Sequence, residues 1–179
     1  MSYAAITPGK NPPEHCNVVI EISASDKPVK YELCKDNNQL TVDRFLQTAM
    51  IYPCNYGYMP QTLCDDGDPL DMLVITPYPV QAGAVIAVRP LGMLAMTDEA
   101  GLDHKLLAVP VPKLTNLYDN IKTVSDLPSG MLDTIEHFFT HYKDLEKGKW
   151  VKVDGWEQVD AAKHAIMNAI KAYNETDAS

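Results

Sequence analysis

Residues 17–25 read NVVIEISAS, and their side chains alternate: Val18, Ile20 and Ile22 fall on one face of an extended chain, Val19, Glu21 and Ser23 on the other. Successive side chains of a β-strand point to opposite faces, so this period of two predicts a strand. The chain turns at DKP (26–28) and alternates again in VKYELC (29–34), with Val29, Tyr31 and Leu33 opposite Lys30, Glu32 and Cys34. KDNNQ (35–39) supplies a second turn and LTVDRF (40–45) a third short strand. Three strands joined by tight turns predict an antiparallel meander.

Outward from that block, residues 1–16 are rich in Pro and Gly and read as an irregular arm. Downstream, MLVITPYPV (72–80), AVIAVRPLGMLAM (84–96) and KLLAVPV (105–111) are further strand segments, the first ended by Pro77 and Pro79. Short strands at this spacing suggest a barrel or a sandwich over alternating β and α units. The last third changes period. Leu132, Ile135, Phe138, Phe139, Tyr142 and Leu145 recur at threes and fours and predict an amphipathic helix over 131–147, with Gly148 as its stop. GKWVKVDGW (148–156) reads as an extended link. Val159, Ala162, Ile166, Ala169, Ile170 and Tyr173 mark a second helix, and NETDAS (174–179) a frayed tail. No repeat or linker interrupts the chain, so one α+β domain over residues 1–179 is expected.

Bulk properties exclude several classes. The chain has 179 residues, 46% of them hydrophobic, enough for one core and too many for a disordered chain. Its net charge of -9 argues against nucleic acid as a partner, since such binders present a basic footprint. An anionic substrate stays possible if metal ions stand between it and the protein. Cys16, Cys34, Cys54 and Cys64 form no C-x-x-C pair, which speaks against a zinc ribbon, and they read as reduced thiols ahead of disulfides. The N-terminal stretch lacks the basic-then-apolar order of a signal peptide, and no segment is long and apolar enough to span a membrane. A cytoplasmic setting without a membrane partner is the expectation.

The chemistry concentrates in CDDGDPLDMLVI (64–75), which packs Asp65, Asp66, Asp68 and Asp71 around Gly67 and Pro69 and then enters a strand. Such a stretch is either a solvated turn, because Asp and Gly are turn formers, or a loop whose carboxylates converge on a hard divalent cation. An EF-hand fails on register: counted from Asp66, the sixth position is Asp71 where Gly is needed, and the twelfth is Pro77 where Glu is needed. A second acidic cluster, Asp98, Glu99 and Asp103 around Gly101, also enters a strand. Asp103 and Lys105 sit two apart, as do Lys30 and Glu32, so each pair shares a strand face. Carboxylates for metal, cations (Lys30, Arg44, Lys105, Lys143) for phosphate oxygens and the hydroxyls of Tyr52, Tyr56 and Tyr58 are the parts of metal-assisted phosphoryl transfer.

Asp66-Gly67-Asp68-Pro69-Leu70-Asp71 fits the pattern D-[SGDN]-D-[PE]-[LIVMF]-D, and VVIEI, KYE, VDRF, YPCNYGY, MTDEAG, HYKDLEKGKWVKV and GW follow in order. In these segments the chain closely resembles the soluble family I inorganic pyrophosphatases of the short bacterial type. The resemblance implies a mainly β, α+β fold: a five-stranded closed barrel of the OB type with two main helices packed outside. It implies hydrolysis of inorganic pyrophosphate to two orthophosphates by a metal-bound water or hydroxide, several Mg2+ ions per site, and a homo-oligomer, usually a hexamer. It also assigns roles. Asp66, Asp71 and Asp103 resemble the ligands of the tightest metal, Asp71 also serving a second, and Asp98 and Asp103 those of a metal arriving with substrate. Glu32 would act through waters and Glu21 as an outer acidic residue. Asp68 resembles the general base. Lys30, Arg44, Tyr142 and Lys143 resemble the phosphate-binding groups, Lys30 and Arg44 nearest the leaving phosphate. Tyr56 and Lys105 would join metal and phosphate, with Tyr52 in support. His104 is expected outside the site.

Two rival readings use the same acidic loops: a cation-binding scaffold without turnover, and a broader phosphohydrolase. Lys30, Arg44, Lys143 and Tyr142 favour an enzyme, since metal storage has no use for them. His137 and His141 lie four apart without the H-E-x-x-H pattern and read as surface or interface residues. Trp150, Trp156, Phe138 and Phe139 read as core, and Met93 and Met96 as packing.

Overall fold

The computed structural model of the protein describes residues 3–34 and 37–177. Its strands are β1 (Cys16–Ile22), β2 (Val29–Cys34), β3 (Gln39–Phe45), β4 (Asn55–Tyr58), β5 (Asp71–Val74), β6 (Val85–Asp98), β7 (Gly101–Leu102), β8 (Lys105–Pro110) and β9 (Val151–Gln158). Two α-helices follow the strand-rich part, α1 (Ser129–His141) and α2 (Val159–Asp177). The fold is therefore α+β and mainly β. None of the described helices is long and apolar enough to cross a membrane.

Strands β5 and β8 show how the core is built. They pair in parallel, and both are buried on both faces, which is why their sequences, DMLV and KLLAVP, run apolar without alternating. Leu73, Leu107 and Val109 pack in one core with Ile135, Phe138 and Phe139 of α1. Met72, Val74, Leu106 and Ala108 point the other way, into a second core with Ala162, Ile166 and Ala169 of α2. The sheet thus lies between the two helices. Around it, β1 pairs antiparallel with both β4 and β6, β4 with β5, and β8 with β6. The long β6 also pairs with β7 and β9. Gly57 marks the closest approach of β4 to β1, because a Cβ there would meet the Val19 carbonyl oxygen at 1.9 Å.

The meander expected at the N-terminal end does not form. Both edges of β1 are taken, by β4 and β6, so no edge is left for β2. Strands β2 and β3 pair with each other in a separate two-stranded sheet. Nor does β1 keep one apolar face: Val19 and Glu21 are buried too. A bulge falls at Glu21, between the pairs Ile20–Gly57 and Ile22–Tyr56. It sends Val18 and Ile20 to the α2 core and Ile22 to the α1 core. The turn expected at 35–39 lies partly outside the described residues; within it Asn38 turns with φ 56°.

Three further expectations are corrected. Residues 151–156 of the supposed link belong to strand β9, held by antiparallel pairing to β6. Helix α1 stops at His141, six residues short of Lys147. The chain turns there because Lys143 is drawn inward to a carboxylate on β6, while Leu145, which the helical period placed in the core, is 62% exposed. Helix α2 continues through Asn174–Thr176, where fraying was expected. Trp150 is exposed, whereas Phe138, Phe139, Met93 and Met96 are core as expected. All four cysteines are free thiols.

Candidate active site

The acidic loop between β4 and β5 is shaped by its own hydrogen bonds. The Asp66 carboxylate accepts the Asp68 N–H at 2.9 Å, the Cys64 N–H donates to the Asp68 carbonyl at 2.8 Å, and the Gly67 N–H returns to the Cys64 carbonyl at 3.0 Å. Gly67 sits at φ +85°, a conformation that glycine adopts without strain. Thr62 closes the loop from beneath, its buried hydroxyl accepting the Leu70 N–H. Asp66 and Asp68 are exposed at the tip, and Asp71, the first residue of β5, is half-buried.

Behind this loop lies a buried cation. The Lys105 ammonium, on a side chain 4% exposed, contacts Asp103 at 2.5 Å and also Asp71. Burial pulls the Lys105 pKa down, but the two carboxylates outweigh it and hold the ammonium charged, well above the ordinary lysine range. It also stands 5.6 Å from the Tyr56 ring centroid and 6.0 Å from that of Phe139. Tyr52, fully buried, packs on Tyr56 at 5.2 Å and on Phe138 at 4.7 Å and fixes the floor.

A second buried pair stands beside the first. Lys143 donates to Asp98 at 2.7 Å, both side chains being nearly enclosed. Burial opposes ionisation of Asp98, but the Lys143 ammonium and the Ala100 N–H prevail and hold its carboxyl below the usual range. The Tyr142 hydroxyl lies within electrostatic reach of Lys105, Asp103, Arg44 and Asp71. Burial raises the phenols of Tyr52, Tyr56 and Tyr142 above their ordinary value, so all three remain protonated donors.

The hairpin carries Lys30 and Arg44 opposite each other. A bulge at Asp43 lets that carboxylate meet both, Lys30 at 3.2 Å and Arg44 at 2.7 Å. Lys30 also meets Glu32 at 2.9 Å. Glu21 reaches from its bulge on β1 to accept the Leu33 N–H at 2.7 Å, tying the hairpin to the main sheet. Burial pushes the Glu21 pKa up to about 8, with Asp71 and Glu32 adding to the rise.

Most of the residues expected from the sequence therefore come near one another as separate ion-pair clusters: Lys30 and Arg44 around Asp43 with Glu32, Lys105 with Asp71 and Asp103, and Lys143 with Asp98, with Glu21, Tyr56 and Tyr142 within electrostatic reach of them. Asp66 joins Asp71 and Asp103 along the wall of a cavity of about 450 Å³. Asp68 is exposed at the loop tip, beside that cavity's Asp66 and Pro69 in the chain. His104 accepts the Met96 N–H through Nδ1 at 3.2 Å and, against the expectation that it lies outside the site, lines the same cavity as Asp66, Asp71 and Asp103. Among the described residues no three carboxylates, histidines or cysteines close on a single point. The donor set still suits a hard cation. It is all carboxylate oxygen, Asp71 and Asp103 already share a buried positive charge, and magnesium needs only one or two carboxylates beside its waters.

Three participants carried no role in the sequence reading. Asp43 bridges the two hairpin cations. Glu99 receives Lys149 at 2.5 Å and lies 3.8 Å from Lys143. Glu146 receives Arg44 at 3.1 Å. Each sits inside a segment that resembled the family, but the partners of Glu99 and Glu146 lie 44 to 102 positions away and leave no local signal.

The chain is similar to known proteins over nearly its whole length. The inorganic pyrophosphatase family model matches residues 18–174. An inorganic pyrophosphatase of Pseudomonas aeruginosa is 57% identical over 98% of this chain and 100% of its own length. One from Escherichia coli (strain K12) is 59% identical over 93% of this chain and 95% of its own. Among solved structures, an inorganic phosphatase of Anaplasma phagocytophilum superposes with a TM-score of 0.93 at 54% identity, covering 94% of this chain and 99% of that one. An inorganic pyrophosphatase of Thermus thermophilus gives 0.92 at 40% identity over 97% and 99%.

Proposed function

The chain belongs to the inorganic pyrophosphatase family and is an enzyme that hydrolyses inorganic pyrophosphate to two orthophosphates; from that premise we propose how its own residues divide the work. Magnesium ions, several per site, would neutralise the substrate's charge and make water acidic enough to ionise near neutral pH. Asp66, Asp71, Asp98 and Asp103 would hold them, with Glu21 and Glu32 as outer acidic residues. Supporting this are the shared cavity of Asp66, Asp71 and Asp103 and the ease with which Asp71 and Asp103 already hold a cation.

Asp68 takes a proton from the attacking water. It is suited to this because it sits exposed at the loop tip, where an incoming water meets it, while its backbone is pinned by Asp66 and Cys64. As the new P–O bond forms, the bridging P–O bond breaks and its electron pair leaves with the departing phosphate. Lys30 and Arg44 hold that phosphate, Arg44 through a planar fork matched to its oxygens. Tyr142 and Lys143 bind the attacked phosphate, and Tyr56, a protonated donor beside Lys105, steadies oxygen charge there. The protein forms no covalent bond, so positioning and electrostatics carry the rate.

The wider reading follows the same premise. The ring of pairings β1–β4–β5–β8–β6–β1 supports a five-stranded closed barrel of the OB type, acting as one domain over residues 1–179. We place the enzyme in the cytoplasm, without membrane or nucleic-acid partners, as a homo-oligomer and specifically a hexamer. The rings of His137 and His141, tilted to each other with centroids 4.7 Å apart on the outside of α1, are the surface we assign to assembly. Sedimentation velocity should give about six times the 19.8 kDa chain mass; a single species at the chain mass would remove the hexamer.

The observation that carries the function is the pairing of buried lysines with the acidic residues of the candidate site, Lys105 with Asp71 and Asp103 and Lys143 with Asp98. Phosphate release from pyrophosphate should be rapid with excess magnesium and should stop with chelator. Asp68→Asn should lower kcat by about 10² to 10⁴. Release unchanged in that variant would remove Asp68 as base, and none from folded, magnesium-loaded wild type would remove the enzyme.

A further inference from the structure

Arg44 is held by a residue that the reaction itself has no use for. Its Nε donates to Glu146 Oε1 at 3.1 Å, and its Nη1 donates to Asp43 at 2.7 Å. The Glu146 side chain is 8% exposed, so this carboxylate has left water to make the contact. Burial of a carboxylate is costly unless it is paired, and Arg44 is the partner that the structure gives it.

The two residues belong to parts of the molecule that are otherwise loosely joined. Arg44 stands on β3, in the small sheet that shares no strand pairing with the main one. Glu146 stands on the segment between α1 and β9, which is pinned to the β6–β7 turn on either side of it: Lys143 to Asp98 at 2.7 Å, and Lys149 to Glu99 at 2.5 Å. Within the segment the Glu146 N–H donates to the Lys143 carbonyl at 2.8 Å and its carbonyl accepts the Lys149 N–H at 3.1 Å. Glu146 is therefore fixed to the same frame that carries Tyr142 and Lys143.

A guanidinium has five N–H groups in a rigid fork. With Nε–H committed to Glu146 and one Nη1–H to Asp43, the plane of the fork is set and the Nη2 edge is left to face an anion. Glu146 is itself an anion and would be repelled by pyrophosphate, so any effect it has on the reaction runs through Arg44. We propose that Glu146 is a positioning residue: it orients the Arg44 guanidinium for the leaving phosphate and locks the hairpin to the segment that binds the attacked one. The inference rests on the pyrophosphatase reading and on Arg44 meeting substrate.

The test is a double-mutant cycle with magnesium pyrophosphate as substrate, with thermal unfolding recorded on each variant. Glu146→Ala should lower kcat/KM about tenfold, the scale of a displaced substrate contact. Glu146→Gln keeps an oxygen for the Nε–H and should recover most of that loss. Glu146→Asp, which keeps the charge but withdraws it by one methylene and guards against a misfolded alanine variant, should lose activity severalfold. In an Arg44→Lys background, which has no Nε–H to hold, none of these changes should cost anything further. A Glu146→Ala loss that persists undiminished in Arg44→Lys, or wild-type activity in Glu146→Ala, overturns the proposal. Failure of the pyrophosphatase reading would look different, because the wild-type protein itself would release no phosphate.

Discussion

The acidic side of the site and the basic hairpin are held in place by different means. Asp71, Asp98 and Lys105 grow from strands β5, β6 and β8 of the main sheet, Asp103 lies two residues before β8, and the Lys105 and Lys143 side chains are less than a tenth exposed. Lys30 and Arg44 ride on a two-stranded sheet with an exposed outer surface, where Val42 is 51% and Phe45 70% exposed. Among the described residues two side-chain hydrogen bonds tie it to the main body, Glu21 to the Leu33 N–H and Arg44 to Glu146, and Tyr31 packs against the α1 core. The metal-facing half is thus pre-organised by the core, and the half that receives the departing phosphate is pre-organised by hydrogen bonds. Carboxylates that would repel one another need a rigid frame, whereas a product must leave from the side that can yield.

The largest consequence concerns stability. Lys105→Met removes the buried charge that the half-buried Asp71 and Asp103 share, and breaking such a pairing should cost up to about 3 to 5 kcal/mol. Lys30→Met removes an ammonium whose partners are more open, Glu32 being 52% exposed, and should cost no more than about 1 kcal/mol. Urea unfolding of both variants in chelator measures the two directly. Equal shifts would erase the distinction between a core-held half and a tethered one.

The same distinction explains what the sequence revealed. Apolar runs such as LLAV and the helical period from Leu132 to Phe139 showed the core, because burial is written into composition and spacing. The D-x-D-x-x-D loop was legible since it is local, and the residues expected to surround it do assemble, Asp68 at the exposed tip. What stayed hidden was pairing at a distance. That β1 gives its edges to β4 and β6, and so excludes β2, depends on strands more than thirty residues away. Strand β4 is only four residues, NYGY, too short for a period to register. Helix α1 ends early because Lys143 is drawn to Asp98, and Glu146 matters because of Arg44; neither partner can be read from the helix's own pattern.

Glu21 offers the finer test, since it ties hairpin to sheet from a buried bulge. Burial, with Asp71 and Glu32 nearby, moves its pKa from an ordinary 4.5 up to about 8. Between these values the folded protein keeps a proton that the unfolded chain releases. The folded state then binds more protons, and unfolding free energy must fall as pH rises. The contribution is complete below about pH 4.5, declines through neutrality and levels off above about pH 8. Glu21→Gln retains an oxygen for the Leu33 N–H but cannot titrate, so its stability in chelator should fall less steeply over the same range. The difference between the two unfolding profiles isolates Glu21 from every other titrating group. Parallel profiles would mean that Glu21 ionises in the folded state as freely as in the unfolded one. The hairpin would then be held from the exposed surface, and the tie at Arg44 and Glu146, with the packing of Tyr31, would have to carry it.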